Sequence, residues 1–384
     1  MIRSDFLPAS TASRLARWAA TALAVVVVAG CASGPAKPKP GPLEAISSPL
    51  PGRVVWQQRI GNVQFPLAIA VNGSALTVAS SDGTMASIEA DTGRVLWRVS
   101  LGARLGAGVG GDGRHAAVVS RDGELFVLDS GRLAWRKKLG IQVNTEPLVA
   151  GARVFVLGSD RSVRAFDVLD GRQLWEVRRS GEPLTLAQRG VIAPYKNTLL
   201  VGQGPRLVGL DPDNGTVRWE VAIAAPRGTN EIERLADLVG PAVRVGETVC
   251  ARAFQAAITC VNAERGALSW TRNLGGTDGL GADEELVAAA DASDRVSTWK
   301  TGSGDAAWSS EKLLYRELAT PLVTRDAVVF GDAQGTVHFL SKGDGATRLR
   351  LPTDGSAIVG TPVLAGRTIV VATRNGSIVG IRSE

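Results

Sequence analysis

The sequence predicts an all-β fold, an eight-bladed β-propeller of four-stranded antiparallel blades. Three observations support it: one motif recurs about every forty residues, each repeat alternates apolar and polar residues, and the two ends complement each other. The motif is a Gly followed four residues later by Trp, as in GRVLW at 93–97, and its eighth copy ends in Leu instead. The copies end 38 to 51 residues apart, at Trp56, Trp97, Trp135, Trp175, Trp219, Trp270, Trp308 and Leu349.

The pattern inside one repeat favours a propeller over a solenoid. Residues 76–97 read LTVAS, SDG, TMASIEA, DTG and RVLW, which is alternation with a period of two interrupted by Gly turns. Asp-Gly and Asn-Gly turns accept positive φ at low cost and connect antiparallel strands. No segment of the body indicates an amphipathic helix of more than three turns. Four strands in each of eight repeats predict eight blades.

The two ends of the body are expected to share the eighth blade. Residues 368–384, TIVVATRNGSIVGIRSE, supply middle strands with no Trp strand after them. Residues 52–61, GRVVWQQRIG, supply a Trp strand with no partner before it. Joining the two leaves no open sheet edge, and an open edge promotes aggregation.

The N-terminus has the pattern of a secretion signal. Three Arg occur among the first 17 residues, followed by the apolar run AATALAVVVVA at 19–29. Eleven apolar residues are too few to span a bilayer but fit the apolar region of a signal peptide. We therefore expect residues 1–30 to be removed.

The residues around Cys31 resemble the lipobox of bacterial lipoproteins, because Val-Ala-Gly immediately precedes this Cys. The resemblance implies cleavage before Cys31 and acylation of its sulfur and new amine. Several acyl chains anchor a protein stably, at roughly 0.8 kcal/mol per buried methylene. Ala32 is not Asp, so the sorting rule of that class implies the outer membrane. An ordinary cleaved signal with a chance Cys is the alternative.

Residues 31–50 are rich in Pro and lack periodicity, so they predict an extended tether between the anchor and the propeller of 51–384. The formal net charge is +6, a weak indication of anionic lipid or an acidic partner. There is no Lys/Arg run with interleaved aromatic residues, so the sequence has no nucleic-acid footprint.

The repeats ADTGRVLW at 90–97 and FDVLDGRQLW at 166–175 resemble the A-x-D-x-x-T-G-x-x-x-W repeat of quinoprotein (PQQ-like) propellers. Two families share this repeat, the PQQ-dependent dehydrogenases and the BamB lipoproteins. The dehydrogenases have a vicinal cysteine pair, whereas Cys250 and Cys260 are ten residues apart here. The chain is also shorter than those enzymes. We therefore predict no cofactor and no enzymatic activity.

Two longer stretches are similar to BamB. Residues 228–238, GTNEIERLADL, resemble its G-x-x-E-I-[DE]-R-L-x-D segment, and 183–194, PLTLAQRGVIAP, resemble its L-T-L-R-G-x-x-x-P loop. The resemblance implies that both loops bind the POTRA domains of a BamA-type barrel subunit, with two leucines as apolar anchors, a nearby cation and an acidic contact. The partner-binding residues that it implies are Leu184, Leu186, Arg189, Glu231, Arg234 and Asp237.

This chain departs from the BamB pattern at two places. Ala187 and Gln188 separate the leucines from Arg189, and Val239 occupies the place of a second Asp after Asp237. Contacts of the second loop are therefore expected to be weaker or different.

The composition of the loops agrees with an interface. Leu184 and Leu186 alternate with a Thr after a Gly-Glu-Pro turn, so both side chains can point outward beside an Arg. The alternative is that both leucines fold back into the blade. EIERLADL at 231–238 is compatible with one or two helical turns with Ile232, Leu235 and Leu238 on one face. A self-packed insertion is the structural alternative there.

Three remaining features have structural interpretations. GAGVGG at 106–111 matches G-x-G-x-x-G but lacks a preceding strand and a following helix, so it predicts a crossing between blades. His115 and His338 are isolated in strand-like segments, which argues against a metal site. Cys250 and Cys260 flank a symmetric hairpin, which is consistent with a cross-strand disulfide or with two buried thiols.

The BamB resemblance implies a non-catalytic scaffold lipoprotein of the outer-membrane β-barrel assembly machinery, which assists the folding and insertion of outer-membrane proteins. Its location would be the outer membrane, with the propeller facing the periplasm and the acyl chains of Cys31 in the lipid. Other lipoproteins of that machinery are further candidate partners. The residues leave two alternatives open, a quinone-dependent dehydrogenase and a periplasmic propeller that binds a small ligand.

Overall fold

The computed structural model describes residues 38–179, 184–226 and 228–383, and all regular secondary structure in these ranges is β-strand. The strands form eight four-stranded sheets, and every pairing is antiparallel. The predicted eight-bladed propeller is confirmed. The described residues from Pro40 onward form one compact unit. Cys31, the predicted lipidation site, lies outside the described residues.

The first four blades follow one another in sequence. Blade 1 contains β2 (Ala70–Asn72), β3 (Ala75–Ala79), β4 (Thr84–Glu89) and β5 (Val95–Ser100). Blade 2 contains β6 (Gly110–Gly111), β7 (His115–Val119), β8 (Glu124–Asp129) and β9 (Arg132–Lys138). Blade 3 contains β10 (Leu148–Ala150), β11 (Arg153–Leu157), β12 (Ser162–Asp167) and β13 (Gln173–Arg178), and blade 4 contains β14 (Ile192–Tyr195), β15 (Thr198–Gln203), β16 (Arg206–Leu210) and β17 (Val217–Ala222).

The last four blades complete the ring. Blade 5 contains β18 (Leu238–Val245), β19 (Thr248–Ala253), β20 (Ala257–Asn262) and β21 (Ala267–Asn273), and blade 6 contains β22 (Gly281–Ala282), β23 (Leu286–Ala290), β24 (Val296–Lys300) and β25 (Ala306–Ser310). Blade 7 contains β26 (Leu322–Val323), β27 (Ala327–Gly331), β28 (Thr336–Ser341) and β29 (Thr347–Pro352). Blade 8 contains β30 (Val363–Ala365), β31 (Thr368–Ala372), β32 (Ser377–Ser383) and the N-terminal β1 (Gly52–Arg59).

Blade 8 closes the ring as the sequence predicted. Strand β1 pairs antiparallel with β32, with Gly52 opposite Ser383 and Trp56 opposite Gly380. The order within the blade is β1-β32-β31-β30, so the outer strand comes from the other end of the chain. The first and last strands of the body therefore share one sheet, and unfolding of either end must open the ring.

The first strands of neighbouring blades contact one another, which places them around the central axis. The outer strand of each blade is joined to the inner strand of the next by a loop that we call a crossing loop. Crossing loops leave the blades at the same end as the turns between second and third strands. We call this side of the ring the crossing-loop face, and the other side the opposite face.

The repeated Gly and Trp meet across each blade boundary. The Trp of one repeat lies against the Gly of the next, so that a Cβ added to that Gly would lie 2.5 to 2.8 Å from the ring. These glycines all have φ between 64° and 81°. The pairs are Trp56–Gly93, Trp97–Gly131, Trp135–Gly171, Trp175–Gly215, Trp219–Gly266, Trp270–Gly304 and Trp308–Gly345. Leu349, the degenerate copy, contacts Gly52 of blade 8, but this Gly has no positive φ.

Five of these tryptophans also donate a hydrogen bond across the boundary. Each indole N–H reaches the backbone oxygen three residues before the contacted Gly, at 2.7 to 3.0 Å. Trp270, for example, donates to Thr301 O at 2.8 Å and lies on Gly304. Each such Trp therefore packs on the turn of the next blade and satisfies its own polar atom there.

The glycine-rich segment 106–111 is a blade crossing with no helix. It ends in the two-residue strand β6, and a Cβ on Gly110 would overlap the backbone oxygen of Pro147 in the adjacent blade. Close approach of two inner strands therefore accounts for the glycine. No helix in the described ranges is long and apolar enough to cross a membrane.

The cysteines of blade 5 lie directly opposite each other on β19 and β20, and the structure joins Cys250 to Cys260 in a disulfide. Both are buried at the boundary between blades 5 and 6, beside Trp270. The bond links two strands that are already paired, so its role in this fold is structural.

A buried polar cluster lies in blade 7. Asp332 Oδ2 accepts a hydrogen bond from Arg316 Nε at 2.8 Å and lies 2.9 Å from His338 Nε2. Asp332 and His338 are fully buried, and burial lowers the pKa of His338 below its ordinary value. The other histidine, His115, lies 3.1 Å from Asp112. Within the described ranges, no group of three or more His, Cys, Asp or Glu is placed to hold a metal ion.

Residues 41–50 differ from the tether that the composition predicts. They contain no strand or helix, as expected, but they are hydrogen-bonded to the propeller at both ends. Gly41 N donates to Leu314 O and Leu50 N donates to Arg348 O, each at 2.8 Å. These bonds join backbone to backbone, so composition and periodicity did not indicate them.

The Gly–Trp contact predicts an unequal response to two Gly→Ala changes. Gly304→Ala places a methyl 2.5 Å from the Trp270 ring at φ 72°, whereas Gly246→Ala places one in open space at φ 56°. We expect Gly304→Ala to lower the free energy of unfolding by about 2–5 kcal/mol, as the sum of backbone strain and overpacking. Gly246→Ala carries the strain alone, about 1–2 kcal/mol. Denaturant titration measures both, and equal losses would contradict the packing role.

The buried His338 predicts a stability that falls in mild acid. Because the pKa of His338 is lowered in the fold, the unfolded chain binds its proton first as the pH drops below about 6.5. The free energy of unfolding should then fall by up to about 1.4 kcal/mol per pH unit between pH 6.5 and 5. His338→Gln retains a donor for Asp332 but does not titrate, so its slope in this range should be smaller.

The matched control is Val337→Ala, which weakens the same strand and leaves the histidine in place. Its slope between pH 6.5 and 5 should equal that of the unaltered protein. Identical slopes for His338→Gln and the unaltered protein would contradict this assignment.

Candidate functional site

The two loops singled out by sequence lie side by side on the crossing-loop face. One is the crossing loop from blade 3 to blade 4, whose described residues include 184–191, and the other leads from blade 4 to blade 5. They meet where Leu186 N donates a hydrogen bond to Asp237 Oδ2 at 2.8 Å. Segments 51 residues apart in the chain are thereby joined into one surface.

The first loop is supported from below by the β11–β12 turn. Arg161 Nη2 donates to Leu184 O at 3.3 Å, and Thr185 Oγ1 donates to Ser159 O at 3.2 Å. Arg161 also lies 3.7 Å from Asp237 Oδ1, and both side chains are about five-sixths buried. Asp237 therefore acts inside the chain, as the acceptor that holds Leu186 and as the counter-ion of Arg161.

Arg189 is likewise engaged within the chain. Its guanidinium faces the Glu146 carboxylate in a two-pronged ion pair, with Nε 2.7 Å from Oε2 and both side chains largely buried. Around it, Gly190 N donates to Thr145 Oγ1 and Gly240 N donates to Arg189 O. A largely buried pair of this kind fixes geometry, because loss of either partner leaves a charge without compensation.

The second loop forms one turn and no helix. Residues 231–234 form the turn, closed by a bond from Arg234 N to Asn230 O at 3.2 Å. Glu233 accepts from Thr229 N at 2.8 Å, and this bond lowers the pKa of its carboxyl. Folding back onto Thr229 keeps the loop compact.

The apolar stripe expected along this loop is also absent. Ile232 is 75% exposed, whereas Leu238 is buried as the first residue of β18. Val239, which occupies the place of a second acid in the family pattern, is buried beside it. The strand begins too early for the three residues to share a helical face.

The outer side of the joined loops is apolar at two points. Leu184 is 38% exposed and Ile232 is 75% exposed, while Leu186 is half-buried between the loops. Glu231, Ala187 and Gln188 are exposed on the same two loops. Leu184 therefore does not fold back into the blade, and Leu186 does so in part.

The six residues named from sequence thus separate into two groups. Leu184, Glu231 and Arg234 lie on the outer side or at its margin, and Leu186 lies between the loops. Arg189 and Asp237 bond to the chain itself and hold the loops in place. Sequence reasoning missed the exposure of Ile232 and the supporting roles of three further side chains: Glu146, Thr145 and Arg161.

The joined loops border the mouth of the central channel. A cavity of about 730 Å³ opens there, and its lining includes Gln188 and Arg189 on one side and Glu317 and Leu318 on the other. A second cavity of about 60 Å³ lies beneath the first loop, between Arg161 and Asp237. The surface around the loops is therefore a rim beside an opening, a shape that suits contact with a folded partner.

Comparisons with known proteins agree with this fold. The family model described as "Outer membrane protein assembly factor BamB" matches residues 41–104 and 81–310. The chain is 35% identical to the protein of that name from Burkholderia pseudomallei, over 96% of this chain and 98% of the relative. It is 31% identical to the one from Bordetella pertussis, over 98% and 99%.

Solved structures show the same architecture at lower identity. The crystal structure of BamB from Moraxella catarrhalis matches with a TM-score of 0.77 and 22% identity, covering 86% of this chain and 99% of that one. The quinohemoprotein alcohol dehydrogenase from Comamonas testosteroni matches with a TM-score of 0.66 and 14% identity, covering 86% and 76%. These likenesses show the fold alone. The family model and the two relatives show that this chain belongs to the BamB family of outer membrane protein assembly factors.

Proposed function

We propose that this protein is a non-catalytic scaffold lipoprotein that assists outer-membrane protein assembly by binding the POTRA domains of a BamA-type barrel subunit. The relatives' printed name, outer membrane protein assembly factor, supports the assembly role. Acylation of Cys31 would hold the protein on the outer membrane with the propeller in the periplasm. The POTRA interface would be the surface formed by the loops 184–190 and 228–237.

The observation that carries the proposal is that two loops, joined by a hydrogen bond, each expose one apolar side chain. Leu184 and Ile232 face outward, and the Leu186–Asp237 bond fixes one loop against the other. Interfaces are dominated by a few apolar anchors within a polar surround. Anchors that are already ordered lose less conformational entropy on binding, which favours affinity.

Internal pairing of the charged groups supports a scaffold rather than an enzyme. Arg189 is neutralised by Glu146 and Asp237 by Arg161, so neither charge is directed at a reacting group. The PQQ-dependent dehydrogenases have two cysteines that are adjacent in sequence. Here Cys250 and Cys260 are ten residues apart and form a disulfide between two strands. Each of these groups has a structural role in the surface or in its blade.

Truncation of the leucines should weaken partner binding. In a titration of the soluble protein (residues 32–384) against purified POTRA domains of the barrel subunit, Leu184→Ala with Leu186→Ala should raise Kd at least tenfold. That factor corresponds to about 1.4 kcal/mol, less than the transfer free energy of two leucine side chains. Calorimetry or a fluorescence titration measures it.

The matched control removes two leucines elsewhere. Leu133 and Leu169 are 49% and 69% exposed on blades 2 and 3, away from the crossing loops. Their replacement by Ala should leave Kd within about twofold. A binding loss equal to that of the 184/186 variant would place the interface elsewhere, and absence of any binding would overturn the POTRA proposal.

Removal of the Asp237 carboxylate should act through the loop. Asp237→Ala deletes the acceptor of Leu186 N, a bond to a charged group worth about 1.5–3 kcal/mol. We expect faster amide exchange at Leu186 and a Kd raised about five- to thirtyfold, with partial recovery in Asp237→Asn. Glu231→Ala should leave exchange at Leu186 unchanged. Unchanged exchange in Asp237→Ala would contradict the positioning role.

A further inference from the structure

The N-terminal segment 41–50, which we call the strap, is held to blade 7 by arginine side chains that donate to its backbone oxygens. Arg348 Nε donates to Ser48 O at 2.7 Å, Arg316 Nη1 donates to Gly41 O at 3.0 Å, and Arg350 donates to Glu44 O. The backbone bonds at Gly41 and Leu50 close its two ends. The strap is therefore part of the folded propeller.

The strap has a definite direction along the blade. Its C-terminal end lies beside Arg348, near the start of the outer strand β29, and Glu44 lies beside Arg350 further along that strand. Its N-terminal end, Gly41, bonds to Leu314 and Arg316 in the crossing loop between blades 6 and 7. The chain therefore meets the propeller at the crossing-loop face and runs toward the opposite face.

The position of the strap is fixed from within blade 7. Arg316, which donates to Gly41 O, also donates to the buried Asp332 carboxylate at 2.8 Å. Asp332 in turn contacts His338, which is fully buried. Because Arg316 is held by the buried Asp332, it can donate to Gly41 O at only one position. The start of the strap is therefore fixed on the ring.

Attachment of the strap shortens the reach of the lipid anchor. From Cys31 to Gly41 there are ten chain steps, which span at most about 31–36 Å in a Pro-rich or fully extended chain. A tether that stayed free up to the first strand at Gly52 would have 21 steps and a reach of about 65–75 Å. The strap halves the tether and selects the point at which it leaves the propeller.

The exit point lies on the same face as the proposed partner surface. The cavity at the channel mouth is lined by Gln188 of the blade 3–4 crossing loop and by Glu317 of the blade 6–7 crossing loop. Three blades, 4 to 6, lie between the two loops around the ring. The point at which the strap begins, Gly41, and the partner loops therefore lie on one face, on different sides of the channel.

We propose that the strap makes the crossing-loop face the membrane-facing surface of the propeller, so that a partner bound at the loops lies between the ring and the phospholipid surface. This inference rests on the acylation of Cys31 in the proposed function. It adds an orientation, set by the strap and the short tether. Arginine donors on blade 7, and no residue of the partner loops, determine that orientation.

The test measures energy transfer from the protein to a rhodamine-labelled phospholipid. The acylated full-length protein is placed on phospholipid vesicles with one donor dye, attached at Asn375→Cys or at Arg367→Cys. Both positions are exposed and lie at opposite ends of β31, Asn375 on the crossing-loop face and Arg367 on the opposite face. Cys250 and Cys260 are bonded to each other and do not compete for the dye.

Transfer should be at least about 1.5-fold more efficient at Asn375 than at Arg367, since the strand between them adds roughly 17 Å. Two changes should reduce this difference in transfer efficiency. The first is a spacer of about twenty Gly and Ser residues after Lys39, which adds a root-mean-square reach of about 25 Å. The second is Arg348→Ala combined with Arg350→Ala. The second change removes the arginine donors to Ser48 and Glu44 and leaves Arg316 with Gly41 and Asp332, so it should reduce the difference less than the spacer does. Circular dichroism checks that the ring stays folded.

Equal transfer at the two positions, or stronger transfer at Arg367, would overturn the inference. A difference that survives both the spacer and the arginine changes would show that the strap does not set the orientation, and would overturn it too. Mass spectrometry establishes acylation in the same samples. Absence of acylation would overturn both the lipid anchor and this inference. POTRA binding by the soluble protein is measured separately, so its outcome does not depend on acylation.

Discussion

The contact between the Trp of one blade and the Gly of the next is the constraint on which the rest of the structure depends. It recurs at seven boundaries, and Leu349 against Gly52 supplies the eighth. A side chain on the Gly would occupy the space of the ring, and a residue other than Gly would be strained at positive φ. A repeat carries both residues because its Gly contacts the preceding blade and its Trp contacts the next.

A ring closed in this way can support irregular loops at low cost. The crossing loops make little regular secondary structure, yet those at blades 3 to 5 are held by bonds to the strands and turns below them. The Arg189–Glu146 pair and the Leu186–Asp237 bond each join residues more than forty positions apart. Such bonds form only if the blades have fixed relative positions. The rigid packing at the blade boundaries therefore keeps the loops of the proposed interface ordered.

The fold was predictable because its determinants are local and repeated. A Trp strand, an Asp-Gly turn and a period near forty each appear in the printed sequence, and closure followed from the unmatched strands at 52–61 and 368–384. The facing positions of Cys250 and Cys260 followed from the symmetry of one hairpin. In each case the partner of a residue follows from a pattern that is visible in the printed sequence.

The details of the site were less predictable because their partners lie at no fixed offset. Asp237 resembled an exposed acid, but its carboxylate bonds to Leu186 and lies beside Arg161. Ile232 resembled one side of an apolar helix, but the loop makes a single turn and leaves it exposed. The strap was missed for a similar reason, since its backbone oxygens accept from arginines about 300 positions away.

The central claim is that a rigid ring presents two fastened loops to a folded partner. Amide hydrogen exchange across residues 32–384, with and without saturating POTRA domains, tests it most directly. The account predicts that new protection is confined to 184–190 and 228–238 and to the adjoining channel mouth, while the strands of the distant blades exchange as before. Protection on the opposite face, or a change spread over strands of many blades, would contradict it.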